Sequence, residues 1–169
     1  LTSDMAETAS CVIHLAAKVP PFDGISNFFP LVEAIISDKD VSDHHAIIPT
    51  MEIEKADLKL LPVGERNLLL LVCCKLLCAS AEPYEYEAVT ATFDCCGHSF
   101  TAKGKRILSE GWREIDHIFR TSLKEKPVDG DGGTLPDFTE GQTFDGAEVS
   151  VTEHFTQPPK PYTEDTLLS

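Results

Sequence analysis

Two adjacent histidines, His44 and His45, are the side chains of this sequence best suited to acid–base chemistry. They follow Asp43 and precede an apolar run, Ala-Ile-Ile-Pro at 46–49. An imidazole changes charge near neutral pH, so it can move a proton or hydrogen-bond a phosphate. No Ser or Cys lies in a nucleophile context, which disfavours a hydrolase. The segment alone therefore leaves the role of the histidines open.

Cysteine chemistry is the second possibility. Four of the six cysteines form adjacent pairs, at 73–74 and 95–96, and neighbouring residues rarely bridge each other without strain. The run Cys-Cys-Gly-His at 95–98 offers zinc-ligand types at a turn, but no second Cys-x-x-Cys pair accompanies it. We therefore expect buried free thiols that act as small apolar side chains in an intracellular protein, with zinc binding as the alternative.

An acidic segment is the third candidate. Asp129, Asp131, Asp137 and Glu140 stand at ligand positions of an EF-hand calcium loop. The pattern fails at Thr134, where the turn requires glycine, and no clear helix flanks the segment. We interpret it as an exposed acidic connector and predict no metal site.

The net charge of −14 disfavours nucleic-acid binding over most of the chain, because phosphate contacts depend on lysine and arginine. Acidic residues strongly outnumber basic ones in 1–50 and 125–169, whereas 51–124 are nearly balanced. The bases of that middle part either form a solvated strand face or contact phosphates. The candidates are Lys103, Lys105, Arg106 and Arg113.

Residues 1–80 are predicted to be helical. A first helix covers 1–19 and is capped by Thr2 or Ser3, a second pattern covers 25–38, and a third helix begins near Pro62. The apolar run at 68–81 belongs to that third helix and is too short to span a membrane. The buried face of the first helix is predicted to hold Ala9, Val12, Ile13 and Ala16.

After Pro83 the sequence period changes to two. The alternation at 84–94, the turn Cys-Cys-Gly-His and a second alternating run at 99–108 predict a β-hairpin. Further strands are expected at 111–116 and 147–156, with a polar connector at 122–140 between them. Helices followed by strands predict an α+β fold with a small antiparallel β lobe.

Three motifs resemble those of type IA DNA topoisomerases, in the topoisomerase III branch. The run Asp-His-His-Ala-Ile-Ile-Pro-Thr at 43–50 is similar to the family segment that carries a histidine before Ala-Ile-x-Pro. The Pro-rich entry to a helix at 155–169, preceded by a strand, resembles a second family segment. Residues 1–7 are similar to the family segment that comes directly after the Tyr-Pro-Arg-Thr nucleophile motif, so the resemblance covers essentially the whole chain.

Carried over to these positions, the resemblance implies that His44 is the active-site histidine, because 46–49 then fall in register with Ala-Ile-x-Pro. His45 takes a neighbouring, less constrained place, and Asp43 is expected to orient the ring of His44. Lys160 joins the DNA-binding candidates, although the following residue, Pro161, stands where many relatives carry arginine.

The resemblance implies an ATP-independent, magnesium-assisted isomerase that cleaves one DNA strand through a phosphotyrosine link, passes a strand and religates. Single-stranded and supercoiled DNA would be its partners, in the bacterial cytoplasm. Tyr84, Tyr86 and Tyr162 lack the Tyr-Pro-Arg-Thr context. The nucleophile is therefore expected before Leu1 and the magnesium site outside these residues. We expect a central piece of the enzyme that is inactive alone.

The family's architecture implies three parts of the chain. Residues 1–79 correspond to the C-terminal part of the helical domain that bears the tyrosine, 80–156 to a β lobe of the arch around a DNA-sized hole, and 157–169 to the start of the return to the base domain. The alternative function is an acidic α+β module without catalysis that binds a protein partner through its β edge.

Overall fold

The structure is a computed structural model that describes residues 1–25, 28–124, 135–146 and 150–167. It divides into two compact units, Leu1–Pro136 and Asp137–Ser169. In the described residues, the elements are helices α1 (Ala6–Ala16), α2 (Val63–Ala79), α3 (Trp112–Ser122) and α4 (Glu164–Leu167), and strands β1 (Glu85–Cys95) and β2 (His98–Ser109). The predicted α+β class is confirmed. None of the described helices has the length and apolar character needed to cross a membrane.

Helix α1 follows a 3-10 turn at Ser3–Met5 and buries all four residues predicted for its inner face, which helical spacing places on one side. The predicted cap by the side chain of Thr2 or Ser3 is wrong. The amide nitrogen of Ser3 donates instead to Oδ1 of Asp38 at 2.7 Å. A carboxylate 35 residues away therefore satisfies a free amide at the start of the helical segment.

The predicted second helix at 25–38 is wrong in its described part, which contains a 3-10 turn at Val32–Ile35 and no α-helix. Pro30 lacks an amide proton and disfavours a helical conformation in the residue before it. The next amide, of Leu31, donates to the carbonyl oxygen of Ser80 at 2.7 Å, at the end of α2. A tertiary hydrogen bond thus takes the place of a helical one. The remaining 3-10 turns between α1 and α2 are Phe22–Gly24, Asp38–Asp40 and Met51–Lys55.

The core of the first unit forms where α1, α2 and α3 meet the 3-10 turns. Helix α2 begins directly after Pro62, as predicted. Phe22 is fully buried and stacks on Phe119 of α3 with 6.5 Å between ring centroids. Asp116 of α3 pairs with Arg120 at 2.5 Å and lies 3.9 Å from Nζ of Lys75 on α2. The residues that α2 buries are Leu70, Cys73, Cys74, Leu76 and Leu77.

Strands β1 and β2 form the predicted hairpin. Cys95 pairs with His98, and the two residues between them, Cys96 and Gly97, have φ of 53° and 80°. Positive φ at both central residues is the requirement of a type I′ turn, whose twist matches that of the strands. The amide of Gly97 also donates to Oδ1 of Asp94 at 3.3 Å.

The predicted strand at 111–116 is wrong, because these residues open helix α3. Ile115 and Phe119, four residues apart, are the buried pair of this helix. Helical periodicity becomes visible only when the segment is followed to Phe119, beyond the six residues taken as a strand. The predicted strand at 147–156 is also wrong over 150–156, and 147–149 lie outside the described residues.

The helix predicted to begin after the Pro-rich stretch is present in the second unit as α4. The backbone amide of Thr163 donates to Oγ1 of Thr166 at 2.9 Å, and the amide of Thr166 donates to Oγ1 of Thr163 at 3.3 Å. This reciprocal cap begins α4. Of the acidic-connector residues, Asp137 and Glu140 are described, whereas 129–134 lie outside the described part of the chain.

Candidate functional site

The histidine segment is an exposed loop that the core holds at one end. His44 and His45 are both exposed, whereas Pro49 is buried and Ile48 packs against the hydrophobic core. The loop has no regular secondary structure between the 3-10 turns at Asp38–Asp40 and Met51–Lys55. The apolar run after the histidines therefore anchors the loop and leaves both rings accessible to a large ligand.

Each histidine ring contacts the backbone of the residue after it. Nδ1 of His44 lies 3.2 Å from the carbonyl oxygen of His45, and Nδ1 of His45 lies 2.6 Å from that of Ala46. A carbonyl oxygen only accepts hydrogen bonds, so we assign the proton of each neutral ring to Nδ1. This tautomer leaves Nε2 of each ring as the atom that meets a ligand.

Asp43 precedes the histidines but, among the described residues, makes no hydrogen bond to either ring. Backbone carbonyl oxygens occupy the position that the predicted carboxylate acceptor would take. The orienting role of Asp43 stays a prediction, as does the choice of His44 over His45.

The predicted basic cluster lies on two faces of the hairpin. Residues paired across antiparallel strands point to the same face, and successive residues alternate. Lys103 pairs with Thr90 and Lys105 pairs with Ala88, so these two lysines share a face. Arg106 lies on the opposite face, where its Nη1 is 3.9 Å from Oε2 of its partner, Glu87.

Two tyrosines that sequence analysis did not assign to the basic site lie on the lysine face. The Nζ atom of Lys105 lies 4.5 Å from the ring centroid of Tyr86, and Cζ of Arg113 lies 4.6 Å from that of Tyr84. The two tyrosine rings are 5.1 Å apart. Arg113 belongs to α3, so the fold adds a helix residue to a strand surface. In the sequence, the signal was the period-two run at 84–94, because residues 84 and 86 are two apart and therefore share a face of the strand.

Lys160, the remaining basic candidate, lies in the Pro-rich stretch of the second unit and is exposed. Lys160 is therefore described by its place in the second unit alone. Its predicted contact with DNA stays a prediction.

The cysteines divide into a core set and a surface set. Cys73 and Cys74 are buried, as predicted, whereas Cys95 and Cys96 are exposed at the hairpin turn, so the predicted burial is wrong there. Burial raises the pKa of the Cys73 thiol to about 11. The described part of the chain holds no group of three His, Cys, Asp or Glu side chains arranged for a metal ion.

Two open cavities lie in the first unit. One, of about 240 Å³, lies beside Glu82, Glu110 and Glu114 near the base of the hairpin. The other, of about 440 Å³, is mainly apolar and includes Arg66 and Asn67 of α2. Neither of these two contains a predicted site residue, so the candidate chemistry lies on exposed surfaces.

Comparison with known proteins gives several matches. The family model for DNA topoisomerase matches residues 22–169. DNA topoisomerase 3 of Bacillus licheniformis is 36% identical over 137 residues, which are 81% of this chain and 18% of that protein. The Bacillus subtilis protein of the same name is 35% identical over 134 residues, 79% of the chain and 18% of the relative. DNA topoisomerase 3 of Staphylococcus aureus is 29% identical over 172 aligned residues, 99% of the chain and 22% of the relative. The chain thus spans about a fifth of the length of these relatives.

Proposed function

Because the chain belongs to the DNA topoisomerase family, as a type IA, topoisomerase III-like member, we propose that it forms part of an ATP-independent enzyme that cleaves one DNA strand, passes a strand and religates the break. The family match over residues 22–169 is the observation that carries the proposal, because it includes the histidine loop and the hairpin. Single-stranded and supercoiled DNA are the proposed partners.

The proposed reaction is a transesterification. A tyrosine hydroxyl loses its proton as its oxygen bonds to phosphorus, the ester bond between phosphorus and one deoxyribose oxygen breaks, and the leaving oxygen takes a proton; religation reverses each step. We assign the tyrosine to the remainder of the full-length enzyme, since Tyr84, Tyr86 and Tyr162 all lack the Tyr-Pro-Arg-Thr context.

His44 is proposed to act next to that reacting phosphate. Its ring is exposed, and its Nδ1 contact with a backbone carbonyl leaves Nε2 to meet the DNA. Once Nε2 is also protonated, the imidazolium donates a hydrogen bond from that atom to a phosphate oxygen or gives the proton to the leaving oxygen.

The magnesium expected for this family does not fit the residues described here, because they include no metal-binding group of three acidic, histidine or cysteine side chains. We therefore propose that the ion binds elsewhere in the enzyme. The proposed division of the chain is 1–79 in the helical tyrosine-bearing domain, 80–156 in the β lobe of the arch, and 157–169 in the return to the base. A cytoplasmic location is proposed with it.

A non-catalytic role in protein binding is the second candidate. The sheet of the described residues has only two strands, so each strand has one unpaired edge. Phe100 on β2 is 59% exposed. An extended peptide added to such an edge would gain backbone hydrogen bonds.

A DNA adduct assay separates these candidates. The full-length protein, given labelled single-stranded DNA and magnesium, should form a covalent adduct and relax supercoiled DNA. The 169-residue chain alone should do neither, because strand cleavage requires a positioned nucleophile. A full-length protein that forms no adduct would overturn the topoisomerase function. An adduct formed by the chain alone would overturn the assignment of the nucleophile.

A further inference from the structure

We propose that Tyr84 and Tyr86 form a stacking platform for unpaired bases of single-stranded DNA, with Lys103, Lys105 and Arg113 as its phosphate contacts. We call these five residues the hairpin platform. The inference rests on the proposed function, since it assumes that a DNA strand passes the hairpin, and it assigns a binding role to two tyrosines that are not the nucleophile.

Contacts across the platform make it one continuous surface. Arg113 covers the ring of Tyr84 at 4.6 Å, Tyr84 contacts Tyr86 with 5.1 Å between centroids, and Lys105 covers Tyr86 at 4.5 Å. Tyr86 is 44% exposed and Tyr84 is half-buried. Tyr86 is therefore the outer ring available to a base, and Tyr84 supports it from behind.

The strand face of the platform is basic although the whole chain carries a charge of −14. Along the strand pairs from Tyr86 to Asp94, this face carries Lys103 and Lys105, and its one acid, Asp94, lies beside the turn. Glu87 points to the other face, where it pairs with Arg106. Because side chains alternate along the strand, Glu87 and Arg106 lie on the face opposite the platform, and Lys103 and Lys105 share the platform face.

The spacing of these groups suits an extended strand of nucleic acid. Two residues along a β-strand are about 6.6 Å apart, so Lys103 and Lys105 form a short row of cations. The residues opposite them, Thr90 and Ala88, are small and leave the surface beside the rings open. Side chains that stack bases and cations that follow the backbone are the two components of single-strand binding sites.

The contacts also favour a single strand over a duplex. Bases in a duplex stack on one another, so their faces are not free to contact a tyrosine ring. When a base stacks on Tyr86, the ammonium of Lys105 moves from the ring to a phosphate. The stacking contact between base and ring then replaces the cation–ring contact. In the free protein, the cation–ring contacts keep these side chains near the positions in which they bind.

Binding of a short, end-labelled oligothymidylate to the 169-residue chain tests the platform. Tyr86→Ala should weaken binding about five- to a hundredfold, the usual range for loss of one stacked base, without changing the dependence of affinity on salt. Tyr86→Phe keeps the ring and should remain within about twofold of the wild type. Tyr86→Leu keeps apolar bulk without an aromatic face and should resemble Tyr86→Ala, which separates stacking from packing.

A matched pair of charge variants tests the assignment of faces. Lys105→Gln should weaken binding and reduce the salt dependence, because one phosphate contact is lost. Arg106→Gln, on the opposite face and paired there with Glu87, should change both quantities less than Lys105→Gln does. Equal effects of the two variants would overturn the platform.

Other outcomes are decisive as well. No binding of oligothymidylate at low salt, equal losses for Tyr86→Phe and Tyr86→Ala, or a larger loss of duplex than of single-strand binding in Tyr86→Ala would each overturn the platform. Adduct formation by the full-length protein separates this failure from that of the proposed function. An active enzyme whose strand binding is unaffected by Tyr86→Ala contradicts the platform alone.

Discussion

The amide nitrogen of Trp112 donates a hydrogen bond to the carbonyl oxygen of Glu82 at 3.0 Å, and this bond closes the base of the hairpin. The preceding residue, Gly111, has φ of 47°, and an added Cβ there would overlap the carbonyl oxygen of Pro83. The two chain segments therefore cross at a distance that only glycine permits. This crossing brings Arg113 over the ring of Tyr84.

Gly111→Ala should destabilise the first unit by at least about 3 kcal/mol, because it adds both a strained backbone conformation and a clash with backbone atoms. Gly64→Ala is the matched control: nothing lies within 4 Å of its added Cβ, and alanine favours the helix by about 0.5–1 kcal/mol. Thermal and urea unfolding followed by circular dichroism give both values. Equal midpoints for the two variants would contradict the close crossing.

Asp38 should make the stability of the fold sensitive to acid. Its pKa lies below the ordinary value of 3.8, chiefly because the carboxylate accepts the backbone amide of Ser3. A carboxyl with a lowered pKa in the folded state stabilises the fold above its unfolded pKa and loses that contribution as the pH falls through the folded pKa. Asp38→Ala should therefore be less stable than the wild type near neutral pH, and the difference should shrink below about pH 4.

The control for that titration is Asp23→Ala. Asp23 is exposed and accepts no hydrogen bond from the described residues, so Asp23→Ala should unfold at the same urea midpoint as the wild type near neutral pH. A difference between wild type and Asp38→Ala that persists undiminished into the acid range would show that the carboxylate charge contributes nothing.

Cys73 should resist alkylation in the native protein. With a pKa of about 11 and no exposed surface, its thiol is almost entirely protonated near neutral pH and is out of contact with the reagent. Exposed Cys11, Cys95 and Cys96 should react with iodoacetamide first. Peptide mass spectrometry over time measures the order, and urea-unfolded protein provides the control. Labelling of Cys73 at the rate of Cys95 would mean that α2 does not pack as described.

In the full-length enzyme, His44→Ala should reduce strand cleavage or religation about ten- to a hundredfold, the usual range for loss of a proton-transferring or phosphate-positioning group. His45→Ala should reduce it less. Both rings are exposed, so neither variant should change the free energy of unfolding by more than about 0.5 kcal/mol. Equal losses of activity would contradict the register that assigns His44 to the site.

Local patterns in the sequence were sufficient for the elements whose cause is local. Alternation at 84–94 and 99–108 predicted the hairpin, because a turn with glycine between two period-two runs defines both strands and their register. The buried face at 9–16 was predicted from the helical spacing of its apolar residues, and the helix after Pro62 from the preference of proline for the first turn. The histidine loop was found from its motif, since neither its spacing nor its burial shows a function.

Tertiary contacts decided the rest, because they join residues too far apart for any local period to relate them. Asp38 rather than Thr2 satisfies the free amide of Ser3, and Leu31 bonds to Ser80 instead of continuing a helix. For the basic cluster, the sequence identified the candidate cations but not the surface on which each one lies. Strand pairing sent Arg106 to one face, and the crossing at the base of the hairpin brought Arg113 to the other, because a folded chain groups side chains by distance in space rather than along the sequence.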